Sequence, residues 1–107
     1  MRIIYTKSFN NSYKKSKKKY TEQEELHNIL LYLESKNSFK DIISDPVAKI
    51  YGFERLKHEL NMFYSFRLSK VIRLIISPNE NDIELYMIYV SDNHYDDFDI
   101  KKVIYDE

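Results

Sequence analysis

The spacing of apolar positions changes twice along the chain, and the changes mark its elements. Arg2 to Thr6 carries Ile3, Ile4 and Tyr5, β-branched or aromatic residues that favour a pleated strand. From Ser8 to Lys19 the spacing becomes helical, with Phe9 and Tyr13 four apart on one stripe and lysines over the rest. Thr21 and Glu24 have the capping-box spacing, in which a threonine hydroxyl and a glutamate satisfy each other's backbone amides. Leu26, Ile29, Leu30 and Leu33 then follow at i, i+3, i+4 and i+7, the clearest helical stripe in the chain. Two helices joined by a short turn at Tyr20-Thr21 make an αα-hairpin.

Ser38-Phe39-Lys40-Asp41 caps a shorter helical piece through Ile43, which Asp45-Pro46 ends. Val47 to Arg55 follows neither period. After it the period becomes two, and Phe63 to Leu68, Val71 to Ser77 and Ile83 to Val90 read as strands. Ser69-Lys70 and the run Pro78 to Asp82 separate them, and connections this short predict an antiparallel meander. Tyr95 to Tyr105 reads as a closing helix, because Asp96, Asp97 and Asp99 lie near its start and Lys101 and Lys102 later, as the helix dipole favours. The expectation is a single α+β domain over residues 1–107: a strand, a helical hairpin, then an antiparallel sheet with the helices on one face. The first strand must join that sheet, at a place local periodicity does not specify.

Composition narrows the function classes. With 107 residues, 43% hydrophobic and 32% charged, the chain can bury one core. A single glycine leaves no Gly-rich phosphate loop, and the absence of cysteine removes disulfides, thiol nucleophiles and Cys-ligated zinc. His27, His58 and His94 are far apart, so no metal site and no cofactor is expected. No apolar run approaches the roughly 20 residues that cross a bilayer, and no export-signal core follows Met1, which places the protein in the cytoplasm, away from membranes. The net charge is zero, yet Lys14, Lys15, Lys17, Lys18 and Lys19 crowd one end while Asp92, Asp96, Asp97, Asp99, Asp106 and Glu107 crowd the other. For a polyanionic partner, charge position matters more than the sum.

Three stretches carry candidate chemistry. Alternation puts Arg67 on the strand face opposite Phe66 and Leu68, and Arg73 opposite Ile72 and Leu74. A loop of Ser69 to Val71 would set the two arginines face to face across the strands. Like charges so placed repel, which a bound phosphate would relieve. The plainer alternative is a solvated sheet face on which both pair with Glu84 or another acid. The stretch Glu54 to Leu60 supplies a carboxylate, the cations Arg55 and Lys57, and His58, residue types suited to proton transfer beside a phosphodiester and equally common on a polar approach to a strand. Past the last strand, His94 is placed to protonate a leaving oxygen and Tyr95 to stack on an unpaired base; a surface role is the commoner fate of such a histidine. His27 reads as a surface residue.

Together these segments resemble the RelE/ParE toxin superfamily, above all its YoeB- and YafQ-like RNA-cleaving branch. The resemblance rests on Glu54-Arg55-Leu56-Lys57, on Tyr64-Ser65-Phe66-Arg67-Leu68 followed by Ile72-Arg73-Leu74-Ile75, and on His94-Tyr95, with Phe98 four residues after His94. It covers the second half of the chain in detail and the first half in element order. It implies a toxin, held by a cognate antitoxin, that cuts mRNA on the ribosome without a metal and leaves a 2′,3′-cyclic phosphate. On matching positions Glu54 would be the general base, His94 the general acid, Arg73 the group stabilising the charged phosphorane and Arg67 its helper, with Tyr95 shaping the substrate. Lys57, His58, Lys70 and Phe98 around the site, and Lys14, Lys15 and Lys18 on the lysine helix, would contact RNA. A gyrase-inhibiting ParE-like toxin and a non-catalytic protein-binding module are the competing readings on the same fold.

Overall fold

The computed structural model of the chain describes residues 2–17, 23–57, 62–69, 72–79 and 82–90. The first strand, β1, runs Arg2–Tyr5. Thr6 leaves it to cap the helix that follows, α1 (Lys7–Lys17): its hydroxyl accepts the Phe9 N–H at 3.1 Å and its carbonyl the Asn10 N–H at 3.0 Å. The helix therefore starts one residue before the expected Ser8, and Thr6 belongs to the cap and not to the strand. α2 (Gln23–Glu34) buries Leu26, Ile29 and Leu33 and half-buries Leu30, the stripe its spacing predicted. The expected turn at Tyr20-Thr21 and its capping box lie outside the described residues.

α3 (Phe39–Ile43) opens as expected on Ser38, whose hydroxyl accepts the Asp41 N–H at 3.4 Å. Asp45-Pro46 does more than end it. The Asp45 carboxylate accepts the Val47 N–H at 3.0 Å, and Pro46 fills the first position of α4 (Pro46–Ile50), where its missing N–H is not needed. α4 closes in a Schellman turn, with Phe53 N–H donating to the Ala48 carbonyl and Gly52 N–H to that of Lys49. Gly52, the chain's one glycine, takes the left-handed φ of 73° that such a turn demands. This accounts for the stretch from Val47 that followed neither period.

The strands β2 (Glu54–Arg55), β3 (Tyr64–Arg67), β4 (Ile72–Asn79) and β5 (Asp82–Val90) form the antiparallel meander. β1 joins it in parallel on the outer side of β5, from Arg2 opposite Asp82 to Tyr5 opposite Leu85, giving the order β1-β5-β4-β3-β2. A bulge interrupts β4–β5: Ile75 pairs with Met87 but Ile76 with Leu85, leaving Tyr86 as the extra residue.

The helices lie on one face of this sheet. Phe9, Leu26, Ile29, Leu33, Ile42 and Ala48 meet Phe66, Leu68, Ile72, Leu74, Ile76 and Ile83 in one core. Each of these side chains other than Ala48 contributes about 1.5–3 kcal/mol relative to exposure. An aromatic wall extends it, with Phe53 stacked flat on Tyr64 at 5.3 Å and Phe39 edge-on to Tyr64 at 4.8 Å. α2 is fastened to α4 by one carboxylate. Asp45 Oδ2 accepts the Tyr32 hydroxyl at 2.8 Å and pairs with Lys36 Nζ at 2.7 Å. The Lys36 ammonium, the Val47 N–H and the Tyr32 hydroxyl together hold the Asp45 pKa down to about 2, while burial and the Asp45 charge push the Tyr32 hydroxyl well above its ordinary value.

Candidate functional site

Alternation assigns the remaining strand positions to the face opposite α1–α4, which carries no helix among the described residues. Leu56, Phe63, Ser65 and Ile75 occupy one end of it and are buried. Arg67 and Arg73 occupy the other end. β3 and β4 are registered so that Arg67 stands directly opposite Arg73, the arrangement the hairpin spacing predicted. Arg67 is exposed and Arg73 half-buried. The turn between them is held by Leu68 and Ser69 N–H groups donating to the Ile72 carbonyl, and by Ile72 N–H donating to the Ser69 hydroxyl at 3.1 Å.

That turn also receives one of the charges. Arg73 Nη1 donates to the Ser69 carbonyl at 2.6 Å and to the Ile72 carbonyl at 3.2 Å. The two acceptors tie one edge of the Arg73 fork to the hairpin tip. They also fix the orientation of a guanidinium plane, a requirement for two-point recognition of phosphate oxygens.

Glu54 stands on the same face. It pairs with Ser65, and Ser65 and Arg67 are two apart on β3, so all three share one side of the sheet. Two residues along a strand and one strand across separate the Glu54 and Arg67 Cα atoms by about 8 Å, within reach of a carboxylate and a guanidinium meeting on one ligand. Arg55 takes the other side: its guanidinium lies 5.9 Å from the centre of the Tyr64 ring. Adjacent residues of one short strand thus serve opposite faces.

The position of Arg67 is fixed from a second direction. Its N–H donates to the Tyr51 carbonyl at 2.8 Å, so the Schellman turn after α4 lies against the backbone of β3. A Cβ built on Gly52 would stand 2.5 Å from Arg67 Cβ. Sequence reasoning singled out neither Gly52 nor Tyr89, which continues the Arg67–Arg73 row on β5. The signal for Gly52 was its solitude in the composition; Tyr89 lies in an unbroken apolar run that carries none.

The other expected residues divide. Lys57 is exposed just beyond β2. Lys14, which is exposed, and Lys15 belong to α1, and α1 packs through Phe9 against the opposite face of the sheet, so the lysine helix and the arginine pair do not form one patch. His58, Lys70, His94, Tyr95, Phe98, Lys18 and the helix expected over Tyr95 to Tyr105 lie outside the described residues. Glu84, the alternative acid for the arginines, stands opposite Ser77, at the far end of β4 from Arg73. His27 is exposed, as its position implied, on the rim of a groove of about 310 Å³ between α1 and α2, lined also by Tyr5, Phe9, Tyr13 and Leu26. Among the described residues no three His, Asp or Glu side chains are grouped to hold a metal, and no helix is long and apolar enough to cross a membrane.

No family model matches the chain, and no curated protein matches it. Solved structures do. YafQ from E. coli strain BL21(DE3) superposes with a TM-score of 0.68 at 14% identity, over 84% of this chain and 93% of that one. The E. coli DinJ-YafQ complex gives 0.64 at 14% identity, again over 84% and 93%. The YoeB dimer from Staphylococcus aureus gives 0.57 at 20% identity, over 83% and 94%. The chain has the fold of these proteins, and the resemblance to the RelE/ParE type is borne out at that level.

Proposed function

We propose that this chain, built on the fold of YafQ and YoeB, is the toxin of a toxin–antitoxin pair and acts in the cytoplasm as an endoribonuclease on ribosome-bound mRNA. The observation that carries the reading is the register of β3 against β4: two arginines directly opposite each other, with Glu54 on the same face. A phosphodiester passing into a pentavalent phosphorane gains negative charge on its equatorial oxygens. Fixed cations are most effective where such charge develops. Arg73, its fork oriented by two carbonyls, is the principal stabiliser, and Arg67 is the second contact.

The remaining steps need one base and one acid. Glu54 takes the proton of the ribose 2′-OH, and the 2′ oxygen forms its bond to phosphorus. The P–O5′ bond breaks as His94 gives its proton to the departing 5′ oxygen. The products are a 2′,3′-cyclic phosphate and a free 5′-OH, with no metal cofactor used. Tyr95 and Phe98 stack on the splayed bases, while Lys57, His58 and Lys70 contact the backbone around the site. Lys14 and Lys15, on the helix that packs against the far side of the sheet, and Lys18 meet ribosomal RNA and not the scissile strand. A cognate antitoxin silences the arginine face by covering it. In support, DinJ-YafQ and the Staphylococcus aureus YoeB-YefM are described as complexes, the latter at a TM-score of 0.56 and 20% identity.

The test is a translation reaction supplemented with purified protein, followed by mapping of mRNA ends and of their chemistry. Cuts in the ribosomal A site ending in cyclic phosphate are expected, and Glu54→Gln or His94→Gln is expected to slow them by roughly 10²- to 10⁴-fold, the usual worth of one acid or base. An absence of new ends, or His94→Gln cutting as fast as the parent, contradicts the proposal. Inhibition of gyrase supercoiling by the same preparation would replace it with the ParE-like reading.

A further inference from the structure

We infer that the Gly52 turn is a positioning device for Arg67, holding this guanidinium at the distance from Glu54 that a phosphodiester requires; the inference rests on the proposed ribonuclease reading. Three observations converge on it. The turn is chemically joined to Arg67, because the Tyr51 carbonyl accepts the Arg67 N–H at 2.8 Å. It is sterically closed on Arg67, because the missing Gly52 Cβ would meet Arg67 Cβ at 2.5 Å and the Arg67 nitrogen at 3.3 Å. It is also rigid, because Phe53 and Gly52 N–H groups return to the Ala48 and Lys49 carbonyls and Phe53 is stacked into the aromatic wall.

A helix end needs glycine only for its positive φ, which asparagine also tolerates. Here the same glycine lies against the Cβ of a residue in the candidate site, a contact that helix termination alone does not require. Glu54 follows two residues later and pairs with Ser65, two residues before Arg67. The turn and the β2–β3 pairing thus tie the carboxylate and the guanidinium to one short stretch of backbone. Pushing the turn back by a Cβ displaces Arg67 relative to Glu54, while Arg73, anchored to the hairpin tip on the other side, stays in place. Misplacement of this order at a reacting centre is expensive, up to about a hundredfold in rate.

Two full-length variants separate the contact from the conformation. Gly52→Asn keeps the left-handed backbone acceptable and adds the Cβ. D-alanine at position 52, introduced by chemical synthesis, also accepts positive φ but points its methyl group away from Arg67. Each is assayed for mRNA cleavage and, by NMR, for the Arg67 Nε–Hε signal in the presence of inorganic phosphate. The expected result is a kcat lowered on the order of ten- to a hundredfold and a displaced Arg67 signal in Gly52→Asn, with the D-alanine protein close to the parent. In an Arg67→Gln background, Gly52→Asn should have no further effect on kcat. Equal behaviour of the two variants, or the same loss in both backgrounds, overturns the inference and leaves Gly52 as a helix terminator. If Gly52→Asn does not fold, Arg67→Gly should restore folding by removing the atom it strikes, and failure to do so overturns the inference as well. A parent protein that leaves RNA intact refutes the ribonuclease reading separately, and the Arg67 signal still reports whether Gly52 positions it.

Discussion

Replacing Arg67 by glutamine should make the protein more stable, although the side chain belongs to the proposed site. Arg67 and Arg73 are directly opposite across β3 and β4. Directly opposed side-chain stems start about 5 Å apart at Cβ, and a separation of about 7 Å is taken for the charges at the ends of two such long side chains. In a water-like dielectric of about 80, two unit charges at that distance repel by about 0.6 kcal/mol. That falls inside the range of about 0.2–1 kcal/mol associated with cross-strand pairs. Glutamine keeps most of the aliphatic stem and removes the charge. A gain of about 0.5 kcal/mol at about 10 mM salt corresponds to a rise of about 2–4 °C in Tm for a domain of this size. In 1 M salt the Debye length shrinks to about 3 Å, and the gain should fall below about 0.1 kcal/mol. Thermal unfolding of parent and variant at both salt concentrations reads the effect. A variant that melts below the parent at low salt would refute the reasoning, because it would mean that Arg67 is held by a stabilising partner stronger than its repulsion from Arg73.

The Asp45 clasp predicts acid sensitivity. Its carboxyl titrates at about 2 in the folded chain against 3.8 ordinarily, so its stabilisation is complete above pH about 4 and is lost as the pH falls toward 2. The unfolding free-energy difference between the parent and Asp45→Asn should therefore be constant near neutrality and shrink below pH 4; a difference that grows on acidification contradicts the assignment. Phe66, fully buried between α2 and the aromatic wall, should cost about 3–5 kcal/mol when truncated to alanine, measured by urea unfolding, and a loss under about 1 kcal/mol would mean that this part of the core is loosely packed.

Strands β1, β3, β4 and β5 and the arginine pair were legible because each depends on local information, whereas the two-residue β2 was not. Alternation fixes the face of a residue, and a short hairpin fixes register, so Arg67 and Arg73 could be set opposite each other without coordinates. What escaped was non-local or too short to show a period. The edge where β1 docks, parallel to β5, depends on the helices that cross between them, and Ile3-Ile4-Tyr5 carry no mark of their partner. The bulge at Tyr86 is hidden because Leu85 to Val90 is apolar at every position, and an unbroken run has no alternation to interrupt. α4 is five residues long, less than two turns, and its start was masked by reading Asp45-Pro46 only as a stop, although the same pair makes a good N-cap and first helical residue. Gly52 carries information in its backbone conformation and in what it lies against, neither of which a one-letter code displays.

The central claim is that Arg67 and Arg73 jointly bind a phosphodiester on the face opposite the helices. With only Arg2, Arg55, Arg67 and Arg73 in the chain, four arginine Nε–Hε signals report on it. Titration with a short RNA carrying a 2′-deoxy sugar at the scissile position, which cannot be cut, should move the Arg67 and Arg73 signals together and leave that of Arg55, facing Tyr64 on the other side, unchanged. Movement of Arg55 or Arg2 with Arg67 and Arg73 still would contradict the account.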